Sequence, residues 1–300
     1  MNNRFKLFLK GMLMGVAEIL PGVSGGTIAF ITGIYEELIE SIKSINSNGI
    51  KLLFSFQFKK FWSHINGPFL ITLLFGMVFS ILFLSRIIEF LLTDHPFKIW
   101  GFFFGLIIAS IFIIQKSINN KKLNLLTFFF VGLFLASYIS LTAPSESSEE
   151  SWFVFLSGAL AISAMILPGI SGSFILVFIS KYEFILSALN NFELSILGIF
   201  LAGCVVGLLT FSRALSYLFK KFNDPIISLL MGFLAGSLIK IWPFYEILET
   251  NSKNEPIYTT PIFPTAQQNS EITFFIIFCL LGILGMYFVE KRLNSTDINK

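Results

Sequence analysis

Six long runs of apolar residues dominate the sequence and restrict it to one environment. Each run is long enough to cross about 30 Å of hydrocarbon as a helix. The runs cover residues 68–92, 97–115, 124–142, 194–219, 225–242 and 272–289. Hydrophobic residues make up 55% of the chain and charged residues 13%, which is about half the charged share of a soluble domain. This balance excludes a soluble enzyme, a nucleic-acid-binding protein and a disordered scaffold, and it predicts an all-α integral membrane protein.

Two further apolar stretches, 5–42 and 152–189, are broken in the middle by Pro and Gly. They contain LPGVSGGT at 20–27 and LPGISGSF at 167–174. Because Pro lacks an amide hydrogen and Gly is unfavourable in a helix interior, the helices should break at these motifs. We expect each stretch to form a re-entrant helical hairpin, which enters and leaves the membrane on the same side.

The distribution of basic residues predicts the orientation of the chain. With two hairpins and six full spans, 15 of the 21 Lys and Arg residues fall on one face. The opposite face has only Lys98, Lys181, Lys240 and Lys253, together with the acidic run SESSEE at 145–150. Since Lys and Arg mark the cytoplasmic side, both termini are predicted to be cytoplasmic.

The second half of the chain repeats the first. The motif at 20–25 recurs at 167–172, a spacing of 147 residues, and Arg86 recurs as Arg213 at a spacing of 127. Each half then contains one hairpin and three spans. The halves are residues 1–145 and 146–300. Because three crossings are an odd number, the second half starts from the opposite face, and the predicted architecture is an inverted repeat of the kind common in secondary transporters.

The two broken segments are predicted to reach the middle of the membrane. Eleven helical residues separate Ser24 from Tyr35, and Ser171 from Tyr182, and they cover about 16 Å. Half of the hydrocarbon thickness is about 15 Å. If the two tyrosines lie at opposite interfaces, where Tyr is favoured, both Gly-Ser loops meet near the midplane.

Ser24 and Ser171 are good N-cap candidates for the helices that follow the two breaks. The backbone amides after them have no partner inside a helix, so they need an acceptor in apolar surroundings. A phosphate supplies several oxygens, and Gly lets such a ligand approach the backbone closely. The predicted phosphate-binding residues of the loops are Ser24, Gly25, Gly26, Thr27, Ser171, Gly172 and Ser173. The alternative is that the two turns only pack against each other, with their amides capped by Ser or water.

Three charged residues inside apolar segments are further candidates. Arg86 and Arg213 each lie about 9 Å from one end of a span, but from opposite leaflets, so they could form an anion site that is reached from either side. Alternatively, they snorkel to the interface, or Arg86 pairs with Glu89. Glu18 has no counterpart in the second half, where Met165 stands. It could carry a coupling proton or offset an arginine.

At the two motifs the sequence resembles the bacterial polyprenyl-phosphate transporter family, the undecaprenyl-phosphate translocases. The likeness covers essentially the whole chain, although Ser173 stands where the first motif has Gly26. It implies a multi-pass protein of the bacterial plasma membrane that moves undecaprenyl phosphate from the outer to the cytoplasmic leaflet, which recycles the carrier for envelope synthesis. The lipid comes from the resemblance, since the residues alone indicate only an anion site in an inverted repeat.

Two other functions fit parts of the pattern. The sequences GVSG and GISG also match the nucleophile motif of rhomboid-like intramembrane serine proteases. A catalytic serine needs a base within reach, however, and His64 and His95 are predicted at the membrane edges. An ion or small-anion channel would share the re-entrant geometry. No metal or cofactor is predicted, since Cys204 and Cys279 both lie in apolar runs, and proton or ion coupling is left open.

Overall fold

The computed structural model of the chain describes residues 3–20, 23–116, 118, 123–142, 148, 150–250, 256–265 and 268–291. Three features of the sequence analysis lie outside these residues. They are Pro21 and Gly22 of the first motif, the boundary between the halves at 145/146 with most of the acidic run, and Lys253.

Helices make up nearly all of the regular structure. The helices are α1 (Asn3–Ile19), α2 (Gly25–Ile31), α3 (Tyr35–Lys43), α4 (Ser47–Phe54), α5 (Phe58–His64), α6 (Gly67–Asp94), α7 (Pro96–Gln115), α8 (Leu123–Leu141), α9 (Ser151–Ile166), α10 (Gly172–Phe178), α11 (Tyr182–Asn190), α12 (Leu194–Ser237) and α13 (Asn269–Val289). Two short strands, β1 (Tyr245–Thr250) and β2 (Pro256–Pro261), pair antiparallel between α12 and α13. The chain is therefore an all-α membrane protein with one small β-hairpin.

The long apolar helices follow the predicted spans. Helices α6, α7, α8 and α13 begin and end within three residues of the predicted bounds. Pro68 and Pro96 lie in the first turns of α6 and α7, where a missing amide hydrogen breaks no helical bond. Five described helices are long and apolar enough to cross a bilayer.

Helix α12 contains two of the predicted spans. Its 44 residues would extend about 66 Å if straight, roughly twice the hydrocarbon thickness. The backbone leaves helical geometry at Phe222, and Pro225 follows three residues later. We call the parts before and after Phe222 α12N and α12C. The predicted end of the last span of α12 is wrong, because the helix stops at Ser237 rather than at 242 and the chain turns toward β1.

Each broken stretch folds back on itself. Helix α2 packs against α1, and α10 packs against α9, so the chain folds back at each motif, as the Pro and Gly residues predict. Helix α11 is bent by 109° from α10. The short helices α4 and α5 and the β-hairpin were not predicted, because none of them has a long apolar run.

Helix pairing follows two patterns. Within each half, the first hairpin helix packs along the first span, α1 on α6 and α9 on α12N. The other spans pair across the halves, α7 with α13 and α8 with α12C. Gly101 of α7 lies against the carbonyl of Phe275, and Gly232 of α12C lies against that of Phe129. Since only a glycine allows this approach, backbone contact fixes both pairs.

Candidate functional site

The two broken segments meet in the interior of the protein. The Ser24 hydroxyl donates to the carbonyl oxygen of Leu167 at 3.1 Å. The amide of Gly169 donates to the hydroxyl of Thr27 at 2.9 Å. Both hydroxyl-bearing side chains are completely buried. The first motif is thus hydrogen-bonded directly to the second, 140 or so residues away in the chain.

Local backbone geometry explains why these residue types occur here. Ser24 is extended and is the N-cap of α2, where its hydroxyl also accepts from the Thr27 amide at 3.3 Å. Gly169 has φ +86°, a left-handed conformation that favours glycine. A side chain at Gly26 would collide with the carbonyl oxygen of Ile166, and one at Gly172 would meet that of Ala161. Gly26 therefore lets the two segments touch, and Gly172 lets α10 pack closely on α9.

Glu18 lies beside the first loop and occupies one of its amides. The Gly25 amide donates to Oε1 of Glu18 at 2.6 Å. Among the described residues, no arginine lies within ion-pair distance of this carboxylate, so the expectation that Glu18 offsets an arginine finds no contact here. In this conformation a carboxylate oxygen holds the position that the sequence analysis predicts for a phosphate oxygen.

The second loop is arranged differently from the first. Ser171 takes the N-cap position of α10, but its side chain makes no capping bond. Its hydroxyl instead pairs with that of Ser173 at 2.8 Å. Ser171 and Gly169 also line a small cavity that reaches Lys240. Both loops are therefore buried, but the second loop borders a small cavity that Lys240 also lines.

The two arginines lie apart from the loops' hydrogen bonds. Arg86 on α6 and Arg213 on α12N are both exposed. The guanidinium of Arg213 reaches the backbone carbonyl of Ile45 at 3.5 Å. The structure thus joins Ser24, Thr27 and the 167–169 segment, but it leaves both arginines on outward-facing helix surfaces.

Two cavity systems border this region. A cleft of about 520 Å³ lies between α1, α2, α6, α7 and α13, and its lining is almost wholly apolar, with His95 and Lys98 among the few polar residues. Two smaller cavities, which share Ser140 and Lys240 in their linings, lie between the Ser171 loop and the β-hairpin. Sequence reasoning placed Lys240 only on one face of the membrane. Its position inside the apolar run 225–242 could have marked this lysine as a candidate site residue.

The described residues offer little for metal or nucleophilic chemistry. Within the described ranges, no group of three His, Cys, Asp or Glu side chains could hold a metal ion. The hydroxyls of Ser24 and Ser171 bond to backbone or to other hydroxyl groups. His64 lies near Asn46, and His95 packs edge-on against Phe90.

Spanning helices packed around two joined, broken segments are typical of membrane transporters, and comparison with known proteins specifies the family. Residues 14–257 match the model of the undecaprenyl phosphate translocase-like family. A polyprenyl-phosphate transporter of Vibrio cholerae is 47% identical over 257 residues, covering 85% of this chain and 83% of the relative. A polyprenyl-phosphate transporter of Staphylococcus aureus is 32% identical over 254 residues, covering 78% of this chain and 85% of the relative. No solved structure matches the chain. The chain belongs to the undecaprenyl phosphate translocase-like family.

Proposed function

We propose that this protein carries undecaprenyl phosphate from the outer to the cytoplasmic leaflet of the bacterial plasma membrane, where the lipid is used again as an envelope carrier. Both relatives are named polyprenyl-phosphate transporters, which supports a lipid phosphate as the cargo. The excess of basic residues on one predicted face supports cytoplasmic termini.

One observation carries this proposal: the hydrogen bonds between the two broken segments. Ser24 and Thr27 bring hydroxyl groups into an apolar interior and contact backbone groups at 167 and 169. A phosphate is costly to desolvate and needs such donors wherever it crosses hydrocarbon. The prenyl chain has no such need, so it can remain in the lipid while the head group passes along the joined loops.

The packing of the helices supports an inverted repeat. Gly76 contacts the carbonyl of Phe8, and Gly203 contacts that of Phe155. Phe8 and Phe155 are 147 residues apart, as the two motifs are, and Gly76 and Gly203 are 127 residues apart, as the two arginines are. Halves with equivalent internal contacts can rock against each other around a fixed site, which is how repeat transporters alternate access.

Glu18 and the arginines enter the proposed cycle at different points. A phosphate that binds the Gly25 amide must displace the Glu18 carboxylate, which now accepts that bond. Protonation of Glu18 would weaken its hydrogen bond to the Gly25 amide, which connects phosphate binding to a proton.

We assign Arg86 to the outer entrance and Arg213 to the cytoplasmic exit. The remaining loop groups, Gly26, Thr27, Ser171, Gly172 and Ser173, would contact the head group between these two points.

Reconstitution tests the proposal directly. Purified protein in liposomes should move undecaprenyl phosphate between leaflets, and a pH gradient should change the rate if a proton is coupled. Vesicles that lack the protein provide the baseline. Transfer no faster than this baseline would refute the function, and ionic current without lipid phosphate would instead favour an anion channel. Cleavage of a membrane peptide that requires Ser24 would favour a protease.

Accessibility labelling tests the topology. Single cysteines placed in residues 45–60 should react from the cytoplasmic side, and those placed in 143–150 should react from the outside. Labelling of both segments from the same side would contradict the inverted repeat.

A further inference from the structure

Lys240 lines two of three neighbouring cavities. The smallest, of about 10 Å³, is lined by Ser171, Ser140 and Lys240 together with apolar residues such as Ile139 and Phe174. The next, of about 160 Å³, shares Ser140 and Lys240 with it and extends beneath the β-hairpin to Trp242. The third, of about 290 Å³, shares Trp242 with the second. The three cavities therefore follow one another from the second loop, past Lys240, to the β-hairpin.

The ammonium group of Lys240 lacks a described counter-charge. Its Nζ atom lies 4.4 Å from the centre of the Phe174 ring. No carboxylate in the part of the chain that the structure describes lies within ion-pair distance of it. An aromatic ring only partly stabilises the charge of a half-buried ammonium group, so a bound anion would stabilise that charge further.

The polarity of this series of cavities changes from end to end. The third cavity is lined by apolar side chains, among them Phe104, Leu238, Ile239 and Ile262. The second cavity has a larger polar share and holds Lys240, Ser140 and Thr259. Beyond Lys240, Ser171 lines the smallest cavity. This order, apolar and then cationic and hydroxylic, complements a lipid with an isoprenoid chain and a phosphate head.

We propose that Lys240 and Ser140, in the cavity of about 160 Å³, bind the phosphate of a polyprenyl phosphate before it reaches Ser171 and the paired loops, and that the apolar cavity at Trp242 holds the first isoprene units. This entry site rests on the proposed function, because it specifies how that substrate is received. It adds Lys240, Ser140 and the β-hairpin cavity to the residues that the sequence predicts.

Binding of a short analogue tests the site. The probes are farnesyl phosphate and farnesol, which differ only by the phosphate. Trp100 and Trp242 line the second cavity, so binding should change tryptophan emission. Wild-type protein should bind the phosphate at least about tenfold more tightly than the alcohol, the scale of one charge-assisted hydrogen bond. In Lys240→Gln this ratio should fall to about twofold or less, while farnesol affinity stays unchanged.

Lys98→Gln is the matched control. Lys98 lies on the same predicted face and also sits over an aromatic ring, 5.0 Å from the centre of Phe274, but it lines the separate apolar cleft. This variant should keep the wild-type ratio, and Lys240→Arg should restore most of it. If Lys240→Gln misfolds, as judged by its melting temperature, Ser140→Ala replaces it and should lower the ratio by a few-fold.

An unchanged ratio in a folded Lys240→Gln variant would overturn the entry site. So would an equal loss in Lys98→Gln, since that would indicate a general effect of surface charge. Either result would leave the proposed function intact if wild-type liposomes still move undecaprenyl phosphate. Failure of wild-type transport would instead count against the proposed function, whatever Lys240 binds.

Discussion

Tyr35 and Tyr182 occupy equivalent positions in the two halves, but Tyr35 is 2% exposed and Tyr182 is 40% exposed. The ring of Tyr35 packs edge-on against Phe219 of α12N at 5.7 Å. Near this contact, Glu40 of α3 pairs with Lys220 at 3.1 Å. Helix α3 is thus packed against α12N, while Tyr182 at the start of α11 is accessible.

This difference predicts unequal thiol reactivity. In a background with Cys204→Ala and Cys279→Ala, Tyr182→Cys should react several-fold faster with a soluble maleimide than Tyr35→Cys, because reaction requires access to the thiolate. The measurement is the labelling rate of purified, folded protein. Equal rates would show that the α3 contact is open in solution. During transport of undecaprenyl phosphate, the Tyr35→Cys rate should rise.

Thr27→Val should destabilise the protein through the loop contact. Valine keeps the shape of the side chain but removes the oxygen that accepts from the Gly169 amide. An amide left buried without a partner costs about 1–3 kcal/mol, so the melting temperature should fall. Thr210→Val is the control, because that hydroxyl bonds only within its own helix at an exposed position. Similar melting temperatures for the two variants would argue against the loop contact.

Gly26→Ala should separate the two segments. The added methyl group would collide with the backbone carbonyl of Ile166, which cannot rotate away as a side chain would. Transport should slow and the melting temperature should fall, because the collision lowers the free energy of unfolding by about 1–3 kcal/mol. Gly198→Ala is the matched control, since no atom lies within 4 Å of its added methyl group, and alanine is the better helix former there. Wild-type behaviour of Gly26→Ala would contradict the close packing.

Glu18→Gln separates proton coupling from structure. The glutamine carbonyl can still accept from the Gly25 amide, so the fold should persist, but the side chain can no longer exchange a proton. If Glu18 is the coupling group, transport in liposomes should lose its response to a pH gradient. Glu193→Gln, at an exposed site before α12, should keep that response. A wild-type response in Glu18→Gln would assign coupling elsewhere.

Arg86→Gln and Arg213→Gln should impair transport without unfolding the protein. Both side chains are exposed, and exposed substitutions usually change stability by about 0.5 kcal/mol or less. The expected result is more undecaprenyl phosphate on the surface of whole cells. Lys59→Gln, an exposed change on α5, controls for lost positive charge. Unchanged surface carrier in well-expressed arginine variants would remove both residues from the mechanism.

Local physics explains what could be predicted from the sequence. Hydropathy over about twenty residues predicted α6, α7, α8 and α13 nearly to the residue, because a bilayer imposes a fixed length on apolar helices. Pro and Gly predicted the breaks, and the capping role of Ser24 is confirmed by its bond to the Thr27 amide. For Ser171 the position was right but the capping bond was not, since Ser173 offers a competing hydroxyl.

Long-range packing decided the remaining features. Nothing in the sequence indicates that Glu18 accepts a hydrogen bond from the Gly25 amide, that α7 pairs with α13, or that Lys240 and Ser171 line the same cavity. The last two relationships join distant segments that the arrangement of helices brings together, and the first depends on how the chain turns between Glu18 and Gly25. Hydropathy and helix breaking are local properties, so the residues alone were enough to predict a helical membrane protein with two interrupted segments. Which donors are occupied and which cation lines a cavity depend on how the helices pack against one another, and the local pattern of residues does not specify that packing.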